Sequence, residues 1–589
     1  MTALILAVMG YGALYRRSRL PVCFFPLTLV SGISVVLYGF GFAGQLRIGC
    51  YAILLCGIVL LALCRKGFHP ISFFSDPSIV FCLFAGLWLF AITRDVFLSH
   101  WDDGSHWYRI CKSMYAEGAF PTTPDILYHN YVPGCQLWVY FVLRFVQFSQ
   151  ANCMFSQGLI NIACVAALFA GMRQAKTRFE KAAAIVLIAL ASVTLCSMSM
   201  GTYGLLVDLQ LGLAAMALLI LLLDQGENSG ALLPAAMVFA FLLLIKNSAV
   251  FFAVMIFAWA AFSHRWRGKL LFGNGVLMLL LPMALRFAYS VRAGIVYSEA
   301  VASPQSFSLS RFADMFALKD MQVLRTFLGR FSYKVLIGDT GLSAAVYVSA
   351  ALLGLVYVCL RMEKKREAEK VGKNLLFGLV MQLLYIALLL VMYLFAMNTN
   401  EMLSVNSFYR YYGSMVAVFA GMAVYTAMSM LLSCSIAPNG TMRVCVMGML
   451  IFAVLAIPGA YSKRYILGRE RFAMPDHYGQ SFWRTMEYHI PQNKQYSGER
   501  YVVFWDRNEY SDSALINMGV EYNIGAWMRS EKVIAIERAQ LHSGLSAEQE
   551  EALASCDHVV FMSDMTQERE LIAPYISVSD LTIGLKSKE

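Results

Sequence analysis

The chain has 589 residues, of which 59% are hydrophobic and only 14% are charged, and its mean hydropathy is +0.60. Soluble globular proteins carry roughly 25% charged residues, so this composition predicts a polytopic membrane protein. The formal net charge of +10 does not indicate nucleic-acid binding. The Lys and Arg residues stand in short clusters between apolar runs, which is the pattern that sets membrane topology.

Apolar runs long enough to cross a bilayer, about 20 residues each, follow one another along most of the chain and predict about 12 to 14 transmembrane helices in a mainly α-helical fold. The runs lie near residues 1–15, 20–44, 48–64, 79–96, 152–172, 182–200, 203–224, 231–246, 248–263, 269–288, 336–360, 374–397, 408–433 and 441–460. Lys246 and Asn247 divide two of them, which predicts two helices that meet at one membrane surface.

Basic residues predict the orientation of these helices. Their clusters fall on one side if the helices alternate and if 134–148 lies on the membrane surface. The clusters are Arg16/Arg17/Arg19, Arg65/Lys66, Arg173/Lys176/Arg178/Lys181, Arg265/Arg267/Lys269 and Arg361–Lys373. That side is the cytoplasm, because cytoplasmic loops carry an excess of Lys and Arg. The loop 97–135 and the region after Tyr461 are therefore predicted to lie outside, and Lys364 to Lys373 in the cytoplasm.

The composition changes after Tyr461. The stretches "ERYVVFWD", "KVIAIE" and "DHVVFMSD" are short β-branched runs separated by helix-like segments. This alternation predicts a small α/β domain with a mainly parallel sheet at 499–589, joined to the membrane part by a linker at 462–498. No Gly-rich fingerprint follows a strand, so nucleotide binding is not supported.

The 14 cysteines are scattered, mostly inside apolar segments, with no CxxC pair and no metal-ligand spacing. They are predicted to be small hydrophobic core residues. Cys111 and Cys135 share one external loop, which leaves a disulfide open beside two free thiols, since closeness in sequence does not establish a pair.

One polar stretch, "SHWDDGSHWYRICKSMYAEGAF" at 99–120, directly follows an apolar run. Residues 104–117 predict an interfacial helix that ends at Gly118, with Arg109, Lys112, Ser113 and Glu117 off its apolar stripe. Asp102 and Asp103 stand at its N-terminus, where the helix dipole favours negative charge. The simplest interpretation is that the two aspartates cap a surface helix and that His106 neutralises them.

A second interpretation comes from a resemblance. "WDDGSHWYRICKSMYAEGAFPT" followed by "HNYVPGCQLWVYFVLRF" resembles the first external loop of GT-C fold glycosyltransferases, membrane enzymes that use a polyprenyl-phosphate-linked sugar as donor. It is most similar to the bacterial multi-pass branch with a Trp-Asp-Glu-x-x-His-Trp-like loop, in which Asp103 stands where Glu is usual and "YVPG" replaces Tyr-Pro-Pro-Gly. The resemblance implies a catalytic transmembrane module at 79–461, preceded by N-terminal transmembrane helices at 1–78.

The resemblance implies roles for individual residues. Asp102 is the candidate base that takes the proton from the acceptor hydroxyl in a single-displacement, inverting transfer, and Asp103 is the second catalytic carboxylate. Arg410 and Lys246 are cations for the departing phosphate. The remaining candidate substrate-binding residues, all on the external side, are His106, Trp107, Lys112, Tyr131, Asp208 and Tyr411. The donor is a polyprenyl-phosphate-linked sugar, and the acceptor is a glycan, a lipid or a protein.

Each assignment has an alternative. In the alternative interpretation, Asp208 and Lys246 form only a structural pair, the Arg410 side chain extends to the lipid headgroups, and Tyr131 only shapes the turn before Pro133. Trp101 and Trp107 either stack on a sugar or anchor the loop at the interface. A divalent metal is compatible with the chemistry, but adjacent aspartates are not a chelating pair, so no metal ligand is assigned.

Two other functions compete with glycosyl transfer. Many helices with intramembrane charges are also typical of a transporter or a lipid-linked glycan flippase. A membrane scaffold that displays the C-terminal domain is the third alternative. The concentration of charges at one face and the long external loop favour chemistry at the membrane surface.

Overall fold

The computed structural model describes most of residues 2–433 and, in the C-terminal region, residues 501–506, 533–561 and 568–575. Within 2–433, the residues outside the described part are 67, 95, 97, 99, 101, 123–125, 127, 200–203, 227, 263–275, 298–313, 315, 318, 339–340 and 364. The predicted helix at 441–460, the linker at 462–498 and Trp101 therefore lie outside the described residues.

The membrane part is built from helices. In chain order they are α1 (Thr2–Arg16), α2 (Phe25–Phe42), α3 (Leu46–Cys64), α4 (Pro70–Phe74), α5 (Pro77–Thr93), α6 (Tyr108–Glu117), α7 (Gly134–Leu143), α8 (Gln150–Val165), α9 (Arg178–Cys196), α10 (Asp208–Gln225), α11 (Leu232–Leu243), α12 (Ala249–Phe262), α13 (Val276–Val296), α14 (Met321–Leu336), α15 (Leu342–Glu363), α16 (Lys365–Phe395), α17 (Thr399–Ser404) and α18 (Phe408–Ser433). The chain is mainly α-helical, as predicted.

In the described part of the chain, nine helices are long and apolar enough to cross a membrane, and five shorter apolar helices accompany them. This is compatible with a multi-pass membrane protein. The nine are Val22–Phe42, Leu46–Cys64, Gln150–Gln174, Arg178–Cys196, Asp208–Gln225, Met278–Val296, Leu342–Arg361, Lys365–Phe395 and Phe408–Ser433. The chain breaks between α11 and α12 around Lys246 and Asn247, so the prediction of two separate helices there is confirmed.

Two helices differ from the hydropathy pattern. The helix α16 begins at Lys365, inside the basic cluster, and not near 374, because Lys, Glu, Arg and Ala are strong helix formers whatever their polarity. The helix α14 lies between the apolar runs 269–288 and 336–360, where hydropathy predicts no spanning helix. The Asp320 side chain caps it by accepting the N–H groups of Gln322 and Val323.

The polar loop also departs from the prediction. The helix α6 ends at Gly118, whose φ of +67° is the left-handed conformation that favours glycine, so that terminus is confirmed. Lys112 and Ser113, expected on an open polar side, are buried. The ten residues of α7 span about 15 Å, too short to cross a bilayer, and most of them are buried.

Cysteines in this region are not paired. Cys111 and Cys135 are both buried free thiols, so the disulfide that the sequence left open is not formed. Burial raises the pKa of both thiols well above the ordinary value, which keeps them in the neutral form that a small apolar core residue requires.

Three strands form a parallel sheet in the C-terminal region. β1 (Tyr501–Trp505) lies between β2 (Val533–Glu537) and β3 (His558–Phe561). Three short helices lie beside them, α19 (Arg538–Ser543), α20 (Ala547–Ser555) and α21 (Arg569–Ile572). These elements match the predicted pattern, but 507–532 and 576–589 lie outside the described residues, so the complete domain stays a prediction.

Candidate functional site

Asp102 does not cap the helix that follows it. A π-helical turn spans Asp103–Trp107, and the Asp102 side chain accepts no hydrogen bond from its first N–H groups. Its carboxylate instead accepts from Arg410, with 2.5 Å between Nη1 and Oδ2. The capping interpretation is therefore wrong for Asp102, whose charge is directed at a residue far along the chain. Single π-helical turns are frequent at functional sites.

Arg410 joins Asp102 to a second ion pair. Its Nε lies 3.2 Å from Oδ2 of Asp208, and the other oxygen of Asp208 accepts from Nζ of Lys246 at 2.7 Å. The four residues come from the loop 97–135, the start of α10, the break after α11 and the start of α18. We call Asp102, Asp208, Lys246 and Arg410 the charge network.

The charge network is enclosed by protein. The side chains are 15% exposed for Asp102, 4% for Asp208, 11% for Lys246 and 8% for Arg410. Arg410 does not extend to lipid headgroups, and Asp208 pairs with more than Lys246 alone. At this burial two carboxylates and two cations are tolerable because their charges balance, and removal of one partner leaves an uncompensated buried charge.

Tyr411 lies beside both cations. Nζ of Lys246 is 4.9 Å from the centre of its ring, the Arg410 guanidinium is 5.2 Å away, and Nη2 of Arg410 donates to the Tyr411 hydroxyl at 3.3 Å. A ring face attracts cations, so Tyr411 holds Arg410 and Lys246 in place together. The structure thus brings five predicted site residues together.

Asp102 and Asp103 have opposite electrostatic surroundings. Burial alone would raise the pKa of Asp102, but Arg410 and the neighbouring His106 and His100 outweigh burial and lower it to about 2. Burial raises the pKa of Asp103 to about 8, although the N–H of Leu205 donates to it. At neutral pH Asp102 is therefore a carboxylate and Asp103 is mostly a neutral acid.

Asp103 contacts the backbone segment that precedes Asp208. Its Oδ1 accepts from the N–H of Leu205 at 2.8 Å, and Gln157 donates to the carbonyl of Leu206 at 3.0 Å. These two contacts hold the segment that leads directly into Asp208. The structure therefore places Asp103 outside the charge network, against the segment before Asp208.

His106, Trp107 and Tyr131 form an aromatic cluster. The rings of Trp107 and Tyr131 stack at 5.2 Å, and the His106 ring lies 4.7 Å from Trp107 and 4.8 Å from Tyr128. Nδ1 of His106 bonds the Ser105 hydroxyl at 2.8 Å, so His106 does not neutralise the aspartates through a hydrogen bond. Burial lowers its pKa to about 3, so its ring is neutral at pH 7.

Lys112 lies apart from the charge network. It is buried on α6, and its Nζ is 5.9 Å from the centre of the Tyr108 ring. Among the described residues, no group of three or more His, Cys, Asp or Glu side chains is arranged to hold a metal ion. Both oxygens of Asp208 and Oδ2 of Asp102 are paired with protein cations.

Several supporting residues were missed from the sequence. Ser414 donates to the carbonyl of Asp208 at 2.7 Å, Ser199 donates to that of Arg410 at 3.3 Å, and Tyr128 packs on His106. Ser414 lies one helical turn after Arg410, and this i+4 spacing is the one signal that would have pointed to it.

The site therefore consists of the charge network, the adjacent aromatic cluster, and side chains that hydrogen-bond the backbone near Asp208 and Arg410. Its two cations and two carboxylates meet at the N-terminal end of α10, where backbone N–H groups also favour negative charge. Comparisons of the chain with protein-family models, with curated proteins and with solved structures find no match.

Proposed function

We propose that the protein is a GT-C-like glycosyltransferase that moves a sugar from a polyprenyl-phosphate-linked donor to an acceptor hydroxyl on the external face of the membrane. The observation that supports this most is the charge network. It puts one ionised carboxylate of the external loop next to two cations, as a base and a phosphate site require. The acceptor is a glycan, a lipid or a protein of the cell envelope.

The chemistry assigns each group a task. The acceptor oxygen attacks the anomeric carbon, and its proton goes to Asp102. The bond from the anomeric carbon to the phosphate oxygen breaks, and the electron pair leaves with the phosphate. Because that phosphate gains a negative charge, Arg410 and Lys246 stabilise the departing state more than the bound donor.

The aromatic cluster and the C-terminal domain complete the proposal. Trp107 and Tyr131 are buried and stack on each other, with Tyr128 on the other face of Tyr131, so in the proposal they support the site and leave direct sugar contact to other groups. The proposed topology places the C-terminal α/β domain outside, where it selects the acceptor.

The proposal is tested by sugar transfer with purified protein in lipid nanodiscs and a panel of labelled polyprenyl-phosphate sugars. Asp102→Asn should lower transfer by roughly two to four orders of magnitude, since Asn keeps the size of Asp but takes no proton. Asp103→Asn is the matched control and should have the milder defect.

Two outcomes would count against the proposal. Full transfer activity in both Asn variants would show that neither Asp102 nor Asp103 is needed as a base. Movement of the intact lipid-linked sugar between leaflets, without transfer to an acceptor, would support the flippase alternative.

A further inference from the structure

The charge network leaves its cations neutralised. Nη1 of Arg410 is bonded to Asp102, its Nε lies against Asp208, and Lys246 is bonded to Asp208. The formal charges of the four side chains cancel. A phosphate that enters this enclosed site must therefore replace one of the carboxylates on a cation, because a further buried negative charge without a partner is costly.

We propose that the donor phosphate displaces Asp102 from Arg410, and that this exchange releases Asp102 to act as the base. The inference rests on the proposed function and adds an order of events to it. Without donor the base is held by Arg410, and with donor the phosphate takes its place.

Geometry selects Asp102 as the carboxylate that leaves. Asp208 contacts both cations, is the more buried carboxylate, and is part of α10, where Ser414 bonds its backbone carbonyl. Asp102 reaches Arg410 through one nitrogen, is 15% exposed, and is the residue directly before the π-helical turn. Release of Asp102 therefore breaks fewer contacts than release of Asp208.

The exchange also resolves a chemical difficulty. A carboxylate that Arg410 holds at a pKa of about 2 is a weak base, because proton transfer is most efficient when the pKa lies closer to the working pH. Once phosphate occupies Arg410, burial acts on Asp102 without that ion pair and raises its proton affinity. The acceptor proton then moves to Asp102 only when a donor is present to receive the attack.

A double-mutant cycle tests the exchange through binding. The probe is a short-chain polyprenyl phosphate, titrated onto purified protein in nanodiscs, with the matching polyprenol as the phosphate-free control. Asp102→Asn should bind the phosphate roughly tenfold more tightly, the scale of one charge-assisted hydrogen bond. In an Arg410→Gln background the same change should alter affinity by less than about twofold.

The Arg410→Gln background distinguishes two possible causes of tighter phosphate binding by Asp102→Asn. Loss of one negative charge strengthens phosphate binding at long range whether or not Arg410 is present, so an equal gain in both backgrounds would overturn the exchange. Asp224→Asn is the matched control, because Asp224 pairs with Arg173 at 3.0 Å near the far end of α10, and it should leave the affinity unchanged.

The remaining outcomes are also decisive. If the native protein binds the probe and transfers sugar but Asp102→Asn binds no more tightly, the exchange is wrong and the proposed function stands. If neither protein binds the probe while both remain folded by thermal unfolding, both proposals fail. Should Asp102→Asn or Arg410→Gln not fold, Asp102→Ser or Arg410→Met replaces it in the cycle.

Discussion

Adjacent aspartates in the loop 97–135 illustrate how a shift of one position along the chain changes a residue's chemistry. Side chains of neighbouring residues point in different directions. Asp102 meets the Arg410 guanidinium, whereas the Asp103 side chain accepts a backbone N–H group, that of Leu205. Of the two buried carboxyl groups, one is therefore ionised at neutral pH and the other is mostly protonated.

The raised pKa of Asp103 predicts a pH-dependent stability. In the unfolded chain its pKa is about 3.9, and in the folded protein it is about 8. Between these values the folded state binds a proton that the unfolded state lacks. The stabilising contribution is complete below about pH 4. As the pH rises further, this contribution falls by up to roughly 1.4 kcal/mol per pH unit, and it is lost above about pH 8.

Asp103→Asn should remove this dependence, because Asn does not titrate and still accepts the Leu205 N–H group. Thermal unfolding of both proteins in the same detergent at pH 5 and pH 8 measures it. The variant should gain stability relative to the native protein as the pH rises, and an unchanged difference would contradict a buried neutral Asp103. Asp103→Ala, which has no acceptor for Leu205, should be destabilised at both values.

Among the helices, α10 and α18 are the pair that brings Asp208 to Arg410. They approach closely at Gly212, where a Cβ atom would lie only 2.4 Å from the carbonyl oxygen of Ser414. A glycine is therefore required by the closeness of the two backbones. The same closeness of α10 and α18 lets the Ser414 hydroxyl donate to the carbonyl of Asp208.

Gly212→Ala should separate α10 from α18, in spite of the better helix propensity of Ala. We expect a cost of about 1 to 3 kcal/mol from overpacking and a loss of transfer activity, because Arg410 moves relative to Asp208. Thermal unfolding and the transfer assay measure the two effects. Gly354→Ala in α15 is the matched control, since a Cβ there meets nothing within 4 Å, and it should be neutral. Equal behaviour of the two variants would show that the close approach is not needed.

For the whole molecule, the basic clusters predict sidedness. The loop 97–135 and the region after Tyr461 should be external, and the segment around Lys364 to Lys373 cytoplasmic. The charge network then faces outside, where a lipid-linked donor is needed.

Single cysteines at Thr122, Glu369 and Glu548, in a background without native thiols, test this arrangement. All three side chains are exposed, unlike Ser113, which is buried. An impermeant thiol reagent added to intact cells should label positions 122 and 548 and spare position 369 until the cells are opened. Labelling of position 369 on intact cells would show that the predicted topology is wrong.

The sequence by itself determined the features that depend on local composition. Hydropathy located most of the long apolar helices of the described part of the chain, and the polarity of Lys246 and Asn247 located the break between α11 and α12. Gly118 ended α6 because its left-handed conformation is a local requirement. The sequence also singled out the residues of the charge network, since ionisable groups beside apolar runs are costly and few.

The tertiary structure alone decided how those residues combine. Asp102 and Arg410 are 308 positions apart, and no local pattern distinguishes a capping aspartate from one paired across the fold. Burial of Asp103, of Lys112 and of α7 likewise depends on neighbours that hydropathy does not reveal. A charge's partner and its solvent access are properties of packed helices, and these two properties set its chemistry.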